Sequence, residues 1–201
     1  MKLFLYYSFY GFSNTYFLGN DESGEALLID PAEITTTIIN QVETKGYTLN
    51  AVLITHNHLH HVRGIKTLLK IYPVDIFSAN AQILGNPCHP LSDGEIFTAA
   101  GFRIEAMSMP GHSPDSIVYK IGSMLFTGDA LHAGLIGRTL SPYNSVALAS
   151  RLRKKILDQS DEMLIFPGHG PPSTLGTERR FNVGLEPQYA ERVSSRYDFF
   201  V

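Results

Sequence analysis

The sequence has one cysteine and no tryptophan among its 201 residues. A disulfide needs two thiols in the chain and a thiolate zinc knuckle needs several, so Cys88 supports neither. A reducing compartment, the cytoplasm, is the simpler expectation for this composition. Twelve Phe and ten Tyr supply the aromatic bulk of the core instead.

An excess of positive charge and a long hydrophobic run are also missing. The chain has 16 basic and 19 acidic residues, a net charge of -3. Nucleic-acid binding requires a basic surface that displaces phosphate counterions, so we expect no such partner. Polar residues and glycine interrupt the apolar stretch 1–18, which predicts two strands and a turn rather than a signal peptide or membrane span. We expect a small-molecule substrate and no membrane partner, and the oligomeric state is left open.

The order of predicted elements indicates an α+β fold, and we predict a single domain over residues 1–201. Strands are predicted at 2–7, 15–18, 26–30, 51–55, 74–78, 95–98, 102–108, 116–121, 124–127 and 163–166. Helices are predicted from Pro31 to Lys45 and at 65–72, 146–157 and 180–196. Strands followed by helices occur twice in outline. This pattern favours two sheets packed face to face, with the helices outside.

The placement of the histidines carries the functional signal. His56, His58, His60 and His61 fall within six residues, in a predicted loop directly after the strand 51–55. Three further polar residues each follow a predicted strand and a glycine: His112, Asp129 and His169. We interpret these glycines as the residues that allow the sharp turns at the strand ends. Imidazole is the commonest transition-metal ligand, so the combined pattern predicts a metal site.

The motifs around these residues resemble those of the metallo-β-lactamase superfamily, and within it the small relatives of hydroxyacylglutathione hydrolase (glyoxalase II). Thr55 to His61 read T-H-N-H-L-H-H, against the family's T-H-x-H-x-D-H. The P-G-H-S-P, F-T-G-D-A-L, G-R-T and P-G-H-G-P segments follow in family order, up to Pro171. The resemblance implies an αββα sandwich with metals at one edge of the two sheets.

The resemblance also implies a ligand set and a reaction. His56, His58 and His112 would hold a first metal, His61 and His169 a second, and Asp129 would bridge the two. One or two divalent ions are expected, with zinc as the usual ion and iron or manganese as alternatives. In the family mechanism a metal-bound hydroxide attacks a thioester or similarly activated ester. A G-x-S-x-G nucleophile motif, which would indicate a rival hydrolase chemistry, does not occur in the sequence.

The chain departs from the family motif at His60, which stands where the family has aspartate. An imidazole can bind metal but does not supply the negative charge. Three interpretations stay open: His60 is a substitute ligand with a catalytic role, a non-ligating residue beside a single ion, or a sign of lost activity.

Two residues are candidates for contact with the substrate. Arg138 and Tyr143 lie in the segment that, by resemblance, borders the mouth of the site. They are candidate substrate contacts, or else a structural arginine and a surface tyrosine. Glyoxalase II carries a further helical domain that contributes glutathione contacts, and we expect 201 residues to leave room for little of it. The resemblance therefore does not imply glutathione specificity. The competing functions are a mononuclear iron sulfur (persulfide) dioxygenase and a catalytically altered metal-binding paralogue.

Overall fold

The computed structural model describes residues 1–186 and 189. The strands are β1 (Lys2–Tyr7), β2 (Asn14–Gly19), β3 (Glu25–Ile29), β4 (Thr48–Leu53), β5 (Asp75–Ser78), β6 (Gln82–Ile83), β7 (Asn86–Pro87), β8 (His89–Pro90), β9 (Glu95–Ala99), β10 (Phe102–Ser108), β11 (Ile117–Ile121), β12 (Met124–Gly128), β13 (Leu131–His132), β14 (Leu135–Ile136), β15 (Leu164–Pro167) and β16 (Ser173–Thr174). The helices are α1 (Thr36–Lys45), α2 (Leu59–Val62), α3 (Ile65–Leu68), α4 (Pro142–Lys155) and α5 (Leu175–Phe181), followed by a 3-10 turn at Val183–Leu185.

Two six-stranded sheets form the centre of the molecule. The first has the order β1-β2-β3-β4-β5-β8 and the second the order β16-β15-β12-β11-β10-β9. The strands predicted at 2–7, 15–18 and 26–30 form an antiparallel meander, β1-β2-β3, and β3, β4, β5 and β8 continue the first sheet in parallel. In the second sheet β12 and β15 are parallel and the other pairings are antiparallel.

The predicted αββα sandwich is confirmed by the three apolar layers of the structure. Alternation along β4 sends Leu53 into the layer between the sheets and Val52 to the outer face of the first sheet. That outer face is covered by Ile38 of α1 and Ile65 of α3. On the other side, Leu148 of α4 packs on the outer face of the second sheet.

Capping residues move two helix starts away from the predicted positions. Thr35 accepts a hydrogen bond from the Ile38 amide and begins α1 at Thr36, not at Pro31. Gly46, with φ of 68°, ends α1 as predicted. Ser141 caps α4 in the same way, so this helix begins at Pro142 rather than at position 146.

Three other predictions need correction. The segment after β4 is not entirely loop, because His60 and His61 lie in the helical turn α2. The helix predicted at 65–72 is assigned as helix only over Ile65–Leu68. The helix predicted at 180–196 is wrong at its start, because α5 ends at Phe181 and a 3-10 turn follows at Val183–Leu185. The rest of this predicted helix falls largely outside the described residues. Within residues 1–186 and 189, no helix combines the length and hydrophobicity needed to cross a membrane.

Candidate metal centre

The seven predicted site residues come together at one edge of the sandwich. His56 and His58 follow β4, and His60 and His61 lie in α2. His112 follows β10, Asp129 directly follows β12, and His169 follows β15. Of the two histidines outside the predicted set, His89 lies away from this edge and pairs with Asp75 at 3.2 Å. The strand ends therefore deliver side chains from both sheets to one place.

One subset consists of His56, His58, His112 and Asp129, whose ligand atoms lie within 4.8 Å of one another. His58 Nδ1 lies 2.8 Å from His56 Nε2 and 3.1 Å from His112 Nε2. Asp129 Oδ2 lies 3.4 Å from His112 Nε2 and 3.8 Å from His56 Nε2. Ligands bound at about 2.1 Å to a common ion are separated by about 3.0 Å in octahedral and about 3.4 Å in tetrahedral geometry. These distances fit a common ion.

A second subset shares Asp129 and extends towards α2. The ligand atoms of His56, His60, His61 and Asp129 also lie within 4.8 Å of one another. His60 is therefore part of the cluster, with its ring centroid 4.5 Å from that of His61 and 5.1 Å from that of His169. His169 Nε2 lies 3.4 Å from Asp129 Oδ2.

Asp129 is the common partner of the two subsets. Its side chain is only 6% exposed and is surrounded by imidazoles. Oδ2 faces His56, His112 and His169, whereas Oδ1 faces His61 at 3.5 Å. Burial alone would raise the pKa of this carboxyl, but contacts with the surrounding histidines hold it well below its usual value. Asp129 therefore supplies the negative charge of the cluster.

Hydrogen bonds to the outer ring nitrogens orient three of the histidines. His112 Nδ1 donates to the Arg138 carbonyl at 2.7 Å, and His169 Nδ1 donates to the Phe12 carbonyl at 2.9 Å. A carbonyl only accepts, so Nδ1 carries the proton in both rings and the lone pair of Nε2 points into the cluster.

His56 is oriented by a relay that starts at Asp30, a residue that the sequence analysis missed. Thr55 Oγ1 donates to Asp30 Oδ2 at 2.6 Å and lies 3.1 Å from His56 Nδ1. The hydroxyl proton is committed to the carboxylate, so the Thr55 oxygen accepts from His56. Asp30 Oδ2 also lies 3.1 Å from His61 Nδ1. The only sequence signal for Asp30 is its place after an apolar strand, just before Pro31.

The two sides of the cluster differ in their protonation. Burial lowers the pKa of His56 to about 2, and burial likewise lowers the pKa values of His58 and His112. These imidazoles are neutral at neutral pH, as metal ligands must be. Burial acts in the same direction on His61, but Asp30 and Asp129 outweigh it and raise the pKa to about 9. Metal binding at His61 must therefore displace a proton.

The buried polar atoms of the cluster fit a bound cation. Among the described residues, His61 Nε2, His132 Nε2 and Asp129 Oδ1 are buried without a hydrogen-bond partner. Leaving such groups unpaired costs about 1–3 kcal/mol each, and a metal ion would satisfy all three. His132 did not figure in the predicted site. Its position three residues after Asp129 was the available signal.

The glycines before the ligands act in two different ways, which corrects the sequence interpretation. Gly128 has a φ of 48° and does turn the chain into Asp129. Gly111 and Gly168 do not have positive φ values. They are needed for space instead, since a Cβ at Gly111 would lie 2.6 Å from Leu148 Cβ and one at Gly168 would collide with Asp129 Oδ1.

The two predicted substrate contacts sit at the periphery. The backbone carbonyl of Arg138 accepts the hydrogen bond from His112, and Arg138 itself is exposed. Tyr143 is 79% exposed on the first turn of α4. Their roles towards a substrate stay predictions.

A hairpin tip between β1 and β2 borders the cluster. Besides the bond from His169 to the Phe12 carbonyl, Ser13 Oγ donates to the His60 carbonyl at 2.6 Å. Gly11, with φ of 70°, permits this contact, because a Cβ there would collide with the His60 side chain. Phe9 and Phe12, 82% and 62% exposed, present their rings to solvent at this tip.

Comparison with known proteins identifies the class that this fold and site define. The family model of the metallo-β-lactamase superfamily matches residues 9–83 and 87–169, and the chain belongs to this superfamily. A metallo-β-lactamase structure from Staphylococcus aureus shares the fold, with a TM-score of 0.83 at 24% identity over 97% of this chain and 66% of that one.

Within the superfamily, the chain is similar to hydroxyacylglutathione hydrolases. Hydroxyacylglutathione hydrolase GloC of Haemophilus influenzae is 32% identical over 186 residues, which cover 81% of this chain and 88% of that protein. The structure of TTHA1623 in a di-iron-bound form has 27% identity and a TM-score of 0.74, covering 90% of this chain and 98% of that one. The predicted glyoxalase II-like relationship is confirmed, and the histidine and aspartate cluster is a metal-binding cluster of the kind typical of this superfamily.

Proposed function

We propose that the protein is a metal-dependent hydrolase that cleaves a thioester or a similarly activated ester. The observation that carries the proposal is the convergence of imidazole nitrogens on both oxygens of Asp129, with outer nitrogens anchored at His56, His112 and His169. The similarity to hydroxyacylglutathione hydrolases supports the choice of a thioester.

The proposed ligand set combines the two subsets with His169, whose Nε2 lies 3.4 Å from Asp129 Oδ2. His56, His58 and His112 would hold one ion, His61 and His169 would hold a second, and Asp129 would serve both. His60 serves as a ligand on the second side, since its ring nitrogen falls within the same 4.8 Å group as His61 and Asp129. Zinc is the proposed ion. Iron is the specific alternative, because the similar TTHA1623 was solved in a di-iron-bound form.

When bound, such ions supply a water of lowered pKa and positive charge that stabilises a developing oxyanion. The protein's own part is to keep the ligands neutral and oriented. Burial keeps His56, His58 and His112 unprotonated, and the carbonyls of Arg138 and Phe12 fix the Nδ1 protons on the far side of two rings. The rings of His112 and His169 then do not have to reorient when the metal binds.

The aromatic hairpin tip supports a substrate with an apolar part. Phe9 and Phe12 are exposed while the backbone of the same tip contacts His60 and His169. An acyl group bound at the cluster would lie within reach of this tip, where an aromatic surface favours apolar groups.

The test combines metal analysis with a panel of thioesters that includes hydroxyacylglutathione, and compares the wild type with His112→Ala and His89→Ala. We expect the wild type to contain metal and to hydrolyse at least one thioester. His112→Ala should lose both properties. His89→Ala is the matched control and should keep them, because His89 lies apart from the cluster and is 59% exposed.

Two results would refute the proposal. Stoichiometric iron together with oxygen consumption on a persulfide, without thioester cleavage, would establish the dioxygenase alternative. A purified protein that takes up no metal and cleaves no thioester would be a catalytically altered paralogue.

A further inference from the structure

We propose that His132 is an additional metal ligand, on the His61 side of the cluster. The inference rests on the proposed metal-dependent function and adds a donor that the family motif does not contain. It concerns the same side of the cluster on which histidine stands at position 60 in place of the motif aspartate.

The local fold aims His132 at the cluster. Strand β13 pairs with β14, with Leu131 opposite Ile136 and His132 opposite Leu135. Leu131 is fully buried in the apolar layer beneath α4, so alternation along the strand turns His132 to the opposite side. The backbone is held on both sides, since Thr127 Oγ1 donates to the Leu131 carbonyl at 2.7 Å and Asn182 Nδ2 donates to the His132 carbonyl at 3.2 Å.

The distances fit coordination better than a direct hydrogen bond. His132 Nε2 lies 3.6 Å from Asp129 Oδ1, and His61 Nε2 lies 3.5 Å from the same oxygen. An N–H···O hydrogen bond spans about 2.7–3.2 Å. Two ligands of one tetrahedral ion, each bound at about 2.1 Å, are about 3.4 Å apart. Both histidines therefore stand at ligand-to-ligand distance from Asp129.

The burial of these atoms points to the same conclusion. The side chain of His132 is 23% exposed as a whole, yet its Nε2 is buried and has no hydrogen-bond partner among the described residues. His61 Nε2 and Asp129 Oδ1 are likewise buried and have no hydrogen-bond partner among the described residues. The two imidazole nitrogens thus flank the same unsatisfied carboxylate oxygen, at 3.5 and 3.6 Å. Imidazole and carboxylate are donors that a transition-metal ion binds.

Substitution of His132 by cysteine gives a direct test in the cobalt-loaded protein. A thiolate bound to cobalt adds a ligand-to-metal charge-transfer absorption in the near ultraviolet, which a thiol that does not touch the ion cannot produce. We expect this band in His132→Cys. We do not expect it in the wild type, whose Cys88 lies outside the cluster, or in the matched control His89→Cys.

A second variant, His132→Phe, keeps a planar ring and removes both nitrogens. We expect it to bind cobalt at the weaker position at least ~10-fold less tightly than the wild type, with a changed visible cobalt spectrum. The proposal is overturned if His132→Cys shows no charge-transfer band and His132→Phe matches the wild type in affinity and spectrum. A wild type that binds no cobalt would instead refute the proposed function itself.

Discussion

The relay Asp30–Thr55–His56 can be tested by replacing Thr55 with valine, which has the same shape but no hydroxyl. Thr55 is 2% exposed, and its Oγ1 connects Asp30 Oδ2 with His56 Nδ1. Thr55→Val leaves the His56 N–H without an acceptor and removes one donor from Asp30. At about 1–3 kcal/mol for each of these two buried groups, the metal-free protein should lose about 2–6 kcal/mol of unfolding free energy.

Metal binding should weaken as well, because His56 is no longer held in the required orientation. Loss of such an outer hydrogen bond lowers metal affinity by about 10–100-fold. Denaturant unfolding of the metal-free protein and chelator-competition titrations measure the two effects separately. Thr55→Ser is the matched control: it keeps the hydroxyl, should cost about 1 kcal/mol for the lost methyl group, and should bind metal as the wild type does. Wild-type metal affinity in Thr55→Val would refute the orienting role of the relay.

Three further predictions concern the charge and space of the cluster. His60→Asp should raise metal content, measured by elemental analysis, since a carboxylate adds negative charge; unchanged stoichiometry with lower activity would show that His60 has its own catalytic role. Gly168→Ala should abolish metal uptake while the circular dichroism spectrum persists, because the new methyl group collides with Asp129 Oδ1, and normal uptake would contradict this. The metal-free protein should lose stability as the pH falls below 6.5, because burial lowers the pKa of His56 to about 2 and only the unfolded chain takes up the proton. The slope should be about 1.4 kcal/mol per pH unit for this residue, and the raised pKa of His61 adds no slope there, since its stabilisation is lost only as the pH rises towards about 9. Equal denaturation midpoints at pH 6.5 and pH 4.5 would disprove this predicted loss of stability.

The sequence predicted those features that depend on local pattern. Apolar runs marked most of the long strands, and residues directly after strand ends identified the cluster, because strands of stacked sheets bring their ends to a shared edge. His60 could be placed in the cluster by its neighbours alone, and the structure puts its ring beside His61 and His169.

The rest depended on contacts that sequence spacing does not encode. His132 enters the cluster only because a two-residue strand turns it away from Leu131. The side chain of Asp30 contacts Thr55, and the backbone of Asp30 has a φ of 49°. This conformation is unusual for a residue other than glycine. Gly111 and Gly168 lack the left-handed turns that glycine suggested, since their role is set by distant neighbours.

The hairpin tip at Phe12 and Ser13 has a consequence for how the centre matures. It contacts His169 and the His60 backbone from the beginning of the chain, while the proposed ligands extend from position 56 to position 169. During synthesis a partial chain ending before β15 lacks His169 and leaves the Phe12 carbonyl without its partner. Closing so long a loop is a late and slow event in folding. We therefore expect the ion to be acquired after the two sheets have docked, which makes metal loading a measure of completed folding rather than its trigger.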